Sequence, residues 1–380
     1  MKIGVNLSFI KTNVGFGIGS YITNILLGLQ EQGLLDSYYL IIRESFHPYA
    51  KDLFPHAHFL LLKEKEWMKK TGRLANFLIS HDLDMVQVPR IAKREAFDLM
   101  FYPFHAVSNK MNLPIPVVMT VHDLFHCNYP EYLSKKYLTY VRYRYNPLIE
   151  KADQLIAISD FVKNDIRKHF PNTQADKIHR IHNSIVFKDT SLEAVDMDKP
   201  YILCVNSMRH HKNFMTLLKA FDALHQQIPH TLVLVGGHGE ASAEINDYIQ
   251  ARQLNDRIIL MSDLSDKQRN SLYYHADLFV SPSLHEGFGM TPIEAMMAQT
   301  SVITTRETSL HEVTQGLAHY YEPARDASKL AEKIMEVLQH PESSQSLKEK
   351  ALVMKKAYDP LSIAREYDAF LKGVIHENRN

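Results

Sequence analysis

The amino-acid sequence predicts an α/β protein of two domains, each with a parallel β-sheet covered by helices. Short apolar runs that fit buried strands alternate with segments of helical periodicity along most of the chain. The alternation starts again after residue 200, following the polar stretch 190–200. With 380 residues, the chain is also long for one hydrophobic core, since domains commonly hold about 100–200 residues.

The first half is predicted to contain six strands. They are KIGVNLSFI, YYLIIRES, HFLLLK, DLMFYPFH, PVVMTVHD and QLIAISD. The segment YITNILLGLQEQG, after the first strand, is predicted to be a helix that ends at Gly33. The start MKIGVNLSFI is therefore interpreted as a strand and not as a signal peptide.

The second half is predicted to contain five strands and four helices. The strands are YILCVNS, TLVLVGG, RIILMSD, DLFVSPS and SVITT. The helices are NFMTLLKAFDALHQQ, AEINDYIQARQ, DKQRNSLYYHA and a fourth with Thr291 at its N-cap and Pro292 at its first position. Strands that alternate with helices predict parallel sheets, and such sheets bind ligands at the carboxyl ends of their strands.

The composition is ordinary for a globular protein and excludes several classes of function. Apolar residues make up 45% and the formal net charge is zero, so no nucleic-acid partner is predicted. Cys127 and Cys204 lie far apart and form no metal-type pair, which fits a reducing cytosol. No apolar run approaches the length of a membrane span, so any membrane contact is expected to be peripheral.

Glycine is scarce, and its placement is informative. Eight of the 14 glycines fall in three clusters, each of which follows an apolar run that fits a strand. The clusters are Gly15, Gly17 and Gly19; Gly236, Gly237 and Gly239; and Gly287 and Gly289. They predict a few loops at strand ends, where the backbone can approach a ligand closely.

The segment 278–304 carries the most specific pattern in the chain. Glu286 lies in a glycine-containing loop between a strand and a helix, and Glu294 lies in the first turn of that helix. The helix N-terminus suits a phosphate or a polyhydroxylated ligand. Glu294 has an alternative explanation, because Thr291-x-x-Glu294 fits a capping box. Glu286 has no comparable structural explanation, since a turn needs no carboxylate at that place.

The stretch EGFGMTPIE (286–294) resembles the E-x7-E signature of the family 4 retaining glycosyltransferases, which have the GT-B fold. The resemblance implies two Rossmann-like domains whose parallel sheets face a central cleft. The N-terminal acceptor domain is expected over 1–190, completed by a C-terminal helix over 360–380, and the donor domain over 200–358. The donor-binding residues implied in this segment are Glu286, Gly287, Phe288, Gly289, Met290, Thr291 and Glu294.

A second set of polar residues follows the first strand of the second half. Arg209 and Lys212 flank a strand-to-helix turn, so both cations are placed to converge on an anion at the helix start. The segment resembles the one in which the family's Arg and Lys hold the donor diphosphate. Asn206 and Gly236 are assigned to the same donor site. The alternative for this segment is a solvated basic turn.

The first glycine cluster fails as a dinucleotide fingerprint, because Ser20 stands where the pattern needs Gly or Ala. It resembles instead the glycine loop in the first domain of these transferases, with Gly17 and Gly19 at the matching positions. A tight turn is the alternative. His122 ends a predicted strand and is expected to contact the sugar or the acceptor, against the alternative of a structural His. It joins Glu286, Arg209 and Lys212 as the expected catalytic residues.

No metal and no cofactor are predicted. The segment HDLD (81–84) contains D-x-D, the metal-binding signature of the other glycosyltransferase fold, but it lies away from the glycine loops and is interpreted as a coincidence. Arg209 and Lys212 are expected to stabilise the leaving diphosphate, a role for which no divalent metal is then needed.

The resemblance implies transfer of a hexose from a nucleotide diphosphate sugar to a saccharide or lipid-linked saccharide, with retention. The stretch from His122 to Tyr132 resembles the branch that transfers mannose or rhamnose in polysaccharide biosynthesis, which implies a mannose-type hexose, with GDP-mannose as an example of a donor and lipopolysaccharide as an example of a product. The donor base and sugar, the acceptor and the linkage stay open at this point. The alternatives are a nucleotide-sugar epimerase or phosphorylase on the same scaffold, and a silent partner that only binds nucleotide sugars.

Two segments, 63–73 and 134–145, mix basic and aromatic residues. Both are suited to an anionic membrane surface, with Trp67 or the Tyr side chains at headgroup level. The alternative, which we favour from sequence, is an exposed helix whose aromatic side chains face the core. The expected location is the cytoplasm, at the inner face of the cell membrane if these segments bind lipid.

Overall fold

The computed structural model describes residues 1–12, 17–65, 79, 81–104, 113–187, 192, 193, 195, 197 and 199–379. Gly15 and the basic segment 66–73 lie outside the described residues. The chain forms two compact units: Met1–Ser184 with Tyr358–Asn380, and Ile185–Ala357. Each unit contains one parallel sheet, so the predicted class of two Rossmann-like α/β domains is confirmed.

The first unit has seven strands. They are β1 (Ile3–Asn6), β2 (Tyr38–Arg43), β3 (His58–Leu62), β4 (Leu99–Tyr102), β5 (Val117–Val121), β6 (Gln154–Ala157) and β7 (Ile178–Arg180). Their order in the sheet is β3-β2-β1-β4-β5-β6-β7, and every pairing is parallel. Strand β7 was not predicted, because its sequence IHR is too short and polar to give an apolar run.

Helices cover this sheet. They are α1 (Ile18–Glu31), α2 (His47–Leu53), α3 (Val88–Glu95), α4 (Phe125–Asn128), α5 (Lys135–Arg144), α6 (Asn146–Lys151) and α7 (Asp160–His169). Short 3-10 turns occur at Leu35–Ser37, Pro130–Tyr132 and Ala175–Lys177, and a π-helical turn, Leu83–Gln87, precedes α3. Helix α1 begins three residues before the predicted Tyr21, and Gly33 beyond its end has the left-handed φ of 67° expected of such a glycine.

The second unit has six strands: β8 (Tyr201–Val205), β9 (Thr231–Val235), β10 (Ile258–Met261), β11 (Leu278–Ser281), β12 (Val302–Thr304) and β13 (His319–Tyr320). Their order is β10-β9-β8-β11-β12-β13, again all parallel. The helices are α8 (Phe214–Leu224), α9 (Ser242–Ala251), α10 (Asp266–His275), α11 (Met290–Met297), α12 (Leu310–Val313), α13 (Ala327–Gln339) and α14 (Ser344–Ala357). The two-residue strand β13 was not predicted.

The C-terminal helix α15 (Pro360–Glu377) belongs to the first unit, where it packs on α1. A Cβ atom at Gly28 of α1 would lie 2.7 Å from the carbonyl oxygen of Pro360 and 2.8 Å from Cβ of Ala364, so only glycine allows this close approach. The hydroxyl groups of Tyr21 and Tyr367 also bond across the two helices at 2.9 Å.

No helix within the described ranges combines the length and the apolar character needed to cross a bilayer.

Both sheets reverse their strand order at one point. The reversal lies between β1 and β4 in the first unit, and between β8 and β11 in the second. The connections on the two sides of such a point leave toward opposite faces of the sheet, which opens a crevice at the carboxyl ends of the strands. The loops after β8 and β11 are therefore where the second unit is expected to bind a ligand.

Candidate functional site

The loops after β8 and β11 bring Lys212 and Glu286 together. Lys212 ends a 3-10 turn between β8 and α8, and Glu286 lies between β11 and α11. The Nζ atom of Lys212 is 2.7 Å from Oε1 of Glu286, and the two side chains are only 12% and 13% exposed. This ion pair spans the reversal of strand order, so two motifs that were separate in the sequence meet at one place.

Asn213 anchors the turn that carries Lys212. Its backbone is left-handed, with φ of 58°, a conformation that Asn adopts more readily than most residues. Its Nδ2 donates to the carbonyl oxygens of Pro282 at 3.0 Å and Ala324 at 2.8 Å, and its Oδ1 accepts from the Thr216 hydroxyl at 2.8 Å. Lys212 is thus fixed relative to the end of β11.

The loop after β11 is held by residues that follow β12. The backbone N–H of Glu286 donates to Oγ1 of Thr308 at 3.0 Å. The hydroxyl of Ser309 lies 2.9 Å from the carbonyl oxygen of Glu286 and 3.0 Å from that of Phe288. The hydroxyl groups of Thr308 and Ser309 were not identified from the sequence. The one sequence feature that could have indicated them is their position after β12, the strand that pairs with β11.

Gly289 determines where α11 begins. It is the N-cap of α11, with a left-handed φ of 85°, and a Cβ atom there would lie 2.8 Å from Cδ2 of Leu310. The expectation of Thr291 at the N-cap and Pro292 at the first helical position is wrong, because Gly289 turns the chain into the helix at Met290. The other residues predicted in this loop are partly buried (Gly287, Met290 and Thr291) or buried (Phe288).

Glu294 is not part of a capping box, since no side chain caps the N-terminus of α11. Its Oε2 instead accepts a hydrogen bond of 2.8 Å from the hydroxyl of Tyr273 in α10. Burial, and then the charge of Glu294, raise the pKa of Tyr273 well above its usual value, so its hydroxyl stays protonated. Tyr273 therefore orients one oxygen of a carboxylate that is itself partly exposed.

The loop after β9 packs directly on the loop after β8. A Cβ atom at Gly236 would lie 1.9 Å from the carbonyl oxygen of Asn206, and one at Gly239 would lie 2.2 Å from that of Met208. Close packing of two backbones thus explains these glycines without a ligand. Arg209 is exposed and forms no ion pair with any described residue, and its Cγ lies against Gly239. The structure thus pairs Lys212, but not Arg209, with Glu286.

In the first unit, Gly17 and Gly19 have different environments. Gly17 is the N-cap of α1 with φ of 75°, and no described residue lies within 4 Å of the position that a Cβ atom would take. Among the described residues, the reason for glycine here is therefore the backbone conformation and not close packing. Gly19 is buried inside the first turn of α1, so its expected position in a loop before the helix is wrong.

His122 follows β5 and is 7% exposed. Its Nε2 lies 2.7 Å from the carbonyl oxygen of Pro103, and because a carbonyl only accepts, Nε2 carries the proton and Nδ1 is an acceptor. The ring of Tyr21 packs edge-on at 4.6 Å. Burial lowers the pKa of His122, which makes the ring a neutral hydrogen-bonding group. Its role toward a ligand stays a prediction.

The two carboxylates of the D-x-D segment bond different partners among the described residues. Asp82 accepts from Lys65 at 2.7 Å and from Gln87 at 2.6 Å, whereas Asp84 accepts from the Ser8 hydroxyl at 2.6 Å. Across the part of the chain that the structure describes, no group of three or more His, Cys, Asp or Glu side chains is arranged to hold a metal ion. The expectation that no metal is needed stays a prediction.

Two parallel sheets with this strand order, each reversed at one point, define a two-domain Rossmann-like protein with a charged site at the second reversal. Two family models match the chain. The model for "Glycosyltransferase Family 4" covers residues 17–187, and that for "Glycosyl transferases group 1" covers residues 188–354. The chain belongs to glycosyltransferase family 4.

Similar curated proteins include enzymes of O-antigen synthesis. The O-antigen chain mannosyltransferase RfbU of Salmonella typhimurium is 29% identical over 210 residues, 55% of this chain and 58% of that protein. The O-antigen chain mannosyltransferase B of Escherichia coli is 26% identical over 287 residues, 70% of this chain and 74% of that protein. The chain thus spans less than two thirds of the length of the first of these relatives.

Solved structures of similar fold cover nearly the whole chain. Sucrose-phosphate synthase from Thermosynechococcus elongatus has a TM-score of 0.75 at 19% identity and covers 99% of each chain. The Anabaena protein HepE, in complex with UDP and glucose, has a TM-score of 0.74 at 16% identity and covers 98% of this chain and 100% of its own. At these identities the similarity establishes the fold, in agreement with the predicted GT-B class.

Proposed function

We propose that the protein transfers a hexose from a nucleotide diphosphate sugar to a hydroxyl group of a saccharide acceptor. The ion pair of Lys212 and Glu286 at the reversal of strand order is the observation that carries the proposal. A cation suits the diphosphate, and a carboxylate beside it suits the hydroxyl groups of a sugar. Membership of glycosyltransferase family 4 supports the class of reaction.

Lys212 and Arg209 are proposed to stabilise the negative charge that develops on the leaving diphosphate. The ammonium group of Lys212 has three donors, so it can bond a phosphate oxygen while it keeps Glu286 as a partner. Arg209 is exposed, and its guanidinium group can add a two-pronged contact from the start of the same turn. In this proposal the two cations make a divalent metal unnecessary.

Glu286 is proposed to orient the donor sugar, and Glu294 to accept hydrogen bonds from the ribose hydroxyls. The backbone amides of Gly287–Thr291 are proposed to serve the donor as well. A carboxylate held 2.7 Å from an ammonium group is a poor nucleophile, which favours an orienting role for Glu286 over a covalent glycosyl-enzyme. Retention is then proposed to occur by front-face attack assisted by the leaving diphosphate, with Nδ1 of His122 as an acceptor toward the sugar or the incoming hydroxyl.

Mannose is the proposed sugar and GDP-mannose the first donor to test. Both relatives described above carry the name mannosyltransferase, which supports the sugar. The HepE structure contains UDP and glucose, so the nucleotide base must be chosen by experiment. A lipid-linked saccharide of a surface polysaccharide is the proposed acceptor.

The exposed face of α5 supports peripheral contact with a membrane that carries such an acceptor. Lys135, Lys136 and Arg142 are exposed and form no ion pair with described residues, and α5 contains no acidic residue. Tyr137 and Tyr143 are 46% and 72% exposed, so the expectation that the aromatic side chains face the core is wrong for these two. Cations beside exposed Tyr side chains suit an anionic lipid surface.

Vesicle sedimentation tests the membrane contact. The protein should bind vesicles with phosphatidylglycerol more tightly than pure phosphatidylcholine vesicles, and Lys135→Glu with Lys136→Glu should remove the difference. The matched control reverses two exposed lysines of α14, Lys348→Glu with Lys356→Glu. Equal loss of binding in both double variants would show that only the net charge matters.

A thermal-shift panel with GDP-, UDP-, dTDP- and ADP-sugars tests the reaction. We expect one donor class to raise Tm, because a ligand that binds only the folded state stabilises it. With that donor, the nucleoside diphosphate should be released only when an acceptor is present, and NMR should show a retained anomeric configuration. Release of an epimerised nucleotide sugar would favour the epimerase, and binding without turnover would favour the silent partner.

A further inference from the structure

Thr308 adopts a backbone conformation that its side chain disfavours. Its φ is 55°, in the left-handed region, where a β-branched residue is a genuine outlier. Among the described residues, seven other than glycine have a positive φ, and Thr308 is the single β-branched one of them. Strain of this kind persists only where the surroundings enforce it, and it is concentrated at functional sites.

The strained conformation places the Thr308 hydroxyl on the loop that carries Glu286. Its Oγ1 accepts the backbone N–H of Glu286 at 3.0 Å. The next residue, Ser309, is fully buried, with its hydroxyl 2.9 Å from the carbonyl oxygen of Glu286 and 3.0 Å from that of Phe288. Two consecutive hydroxyl groups therefore hold the N–H and the C=O of the same residue.

A third contact from the same segment completes the arrangement. Cδ2 of Leu310 would be 2.8 Å from a Cβ atom at Gly289, so the side chain of Leu310 packs directly on that glycine. The loop contains two glycines, Gly287 and Gly289, and glycine restricts its own backbone less than any other residue. The fixed direction of the Glu286 side chain toward Lys212 must therefore come from outside the loop.

We propose that Thr308 and Ser309, which we call the hydroxyl latch, are positioning residues for Glu286. The latch sets the backbone of Glu286, and through it the carboxylate that faces Lys212 and the donor sugar. Its catalytic consequence rests on the proposed function, whereas its effect on the loop does not. If residue 308 served only as a turn, glycine would fill it without strain; threonine keeps the hydroxyl in spite of the strain.

Substitutions at position 308 distinguish the effect of the hydroxyl group from the effect of the strained backbone conformation. Thr308→Val removes the hydroxyl and keeps the strain, Thr308→Gly removes both, and Thr308→Ser keeps the hydroxyl. We expect Thr308→Val and Thr308→Gly to lower kcat about ten-fold, with the donor KM within about two-fold of the wild-type value. Thr308→Ser should keep the kcat of the wild type. We expect Tm to be higher in Thr308→Gly than in Thr308→Val, because glycine relieves the backbone strain. The value of kcat would then depend on the hydroxyl group, and Tm on the backbone conformation.

Amide hydrogen exchange on the protein without donor tests the latch independently of turnover. The amide of Glu286 should exchange about ten-fold faster in Thr308→Val, while the amides of β9 stay unchanged. Thr314→Val is the matched control, because the Thr314 hydroxyl is buried and bonds the Leu310 carbonyl oxygen away from Glu286. It should leave exchange at Glu286 as in the wild type.

The outcomes distinguish the latch from the proposed function. Unchanged exchange at Glu286 in Thr308→Val overturns the latch, whether or not sugar transfer is observed. Faster exchange with wild-type kcat overturns its catalytic role and leaves the proposed function standing. A wild-type protein that transfers no sugar refutes the proposed function, while the exchange result still decides whether Thr308 holds the loop.

Discussion

The Nζ atom of Lys212 lies 2.7 Å from Oε1 of Glu286, across the point where the sheet of the second unit reverses its strand order. Each of the two charged groups is the other's ion-pair partner in the structure. For the proposed donor, the charges of the site would already be compensated and the side chains already oriented. In the proposed reaction, such preorganisation would mean that the site reorganises little when charge develops on the diphosphate.

The stability of the second unit should show that Lys212 and Glu286 depend on each other. Lys212→Met leaves the partly buried Glu286 without its cation, so the free energy of unfolding should fall by about 2 kcal/mol, and Glu286→Gln should also lower it. The double variant should cost less than the sum of the two. Urea unfolding of the four proteins measures this coupling. The matched control is the exposed ion pair of Lys329 and Glu332, where no coupling is expected. If the effects of Lys212→Met and Glu286→Gln on the free energy of unfolding were additive, the proposed dependence of the two residues on each other would be wrong.

Tyr273→Phe should weaken donor binding through Glu294. Without the hydroxyl that donates to its Oε2, the carboxylate of Glu294 loses its fixed direction. We expect the donor KM to rise about five-fold, with kcat within about two-fold, since one hydrogen bond to a charged group is lost. Tyr248→Phe is the control, because it removes a similar bond, 3.0 Å long, from Tyr248 to Asp222 outside the site. Equal changes in KM for the two variants would refute the role of Tyr273.

His122→Gln should distinguish the structural role of Nε2 from the proposed functional role of Nδ1. The Gln side-chain amide can still donate to the carbonyl oxygen of Pro103, as Nε2 of His122 does at 2.7 Å, but it lacks an acceptor in the place of Nδ1. We expect Tm within about 2 °C of the wild type and turnover at least about ten-fold lower. His122→Ala should lower both. Full turnover in His122→Gln would show that the ring is only structural.

Glu342 should make the second unit sensitive to acid. Although burial opposes its ionisation, hydrogen bonds from His319 and Lys350 hold its pKa at about 2, below the usual 4.5. Because the pKa is lower in the folded protein, this stabilisation is present above pH 4.5 and is lost as the pH falls toward 2. Glu342→Gln should therefore lower Tm at pH 7 and differ less from the wild type at pH 3. The control is Glu349→Gln, at an exposed Glu of α14.

The sequence was sufficient to predict the class of fold and the loops that carry the site. Apolar runs mark β8 and β11, because parallel strands are buried on both faces, and Gly287 and Gly289 mark the sharp turn after β11. Strands β7 and β13 were not predicted because their sequences, IHR and HY, are short and contain polar residues, so they give no apolar run. The start of α11 was misplaced because a left-handed glycine can cap a helix as well as Thr291 can.

The contacts within the site could not be predicted. Lys212 and Glu286 are 74 positions apart, and nothing in either motif specifies that their side chains meet. Thr308 and Ser309 lie in a polar turn after β12 that has no special sequence pattern. Their contacts with Glu286 arise only because β12 pairs with β11, whose loop carries Glu286. Tyr273 lies in the predicted helix DKQRNSLYYHA, but the packing of α10 on α11, which brings its hydroxyl to Glu294, could not be predicted.

The turnover of Glu286→Gln tests the central claim most directly. With the donor selected by thermal shift and an acceptor that the wild type uses, the variant should release nucleoside diphosphate at least about 100-fold more slowly. Its circular dichroism should match that of the wild type, because Gln retains the volume of Glu and an oxygen that can accept from Lys212. A correctly folded Glu286→Gln with wild-type turnover would contradict the assignment of this site.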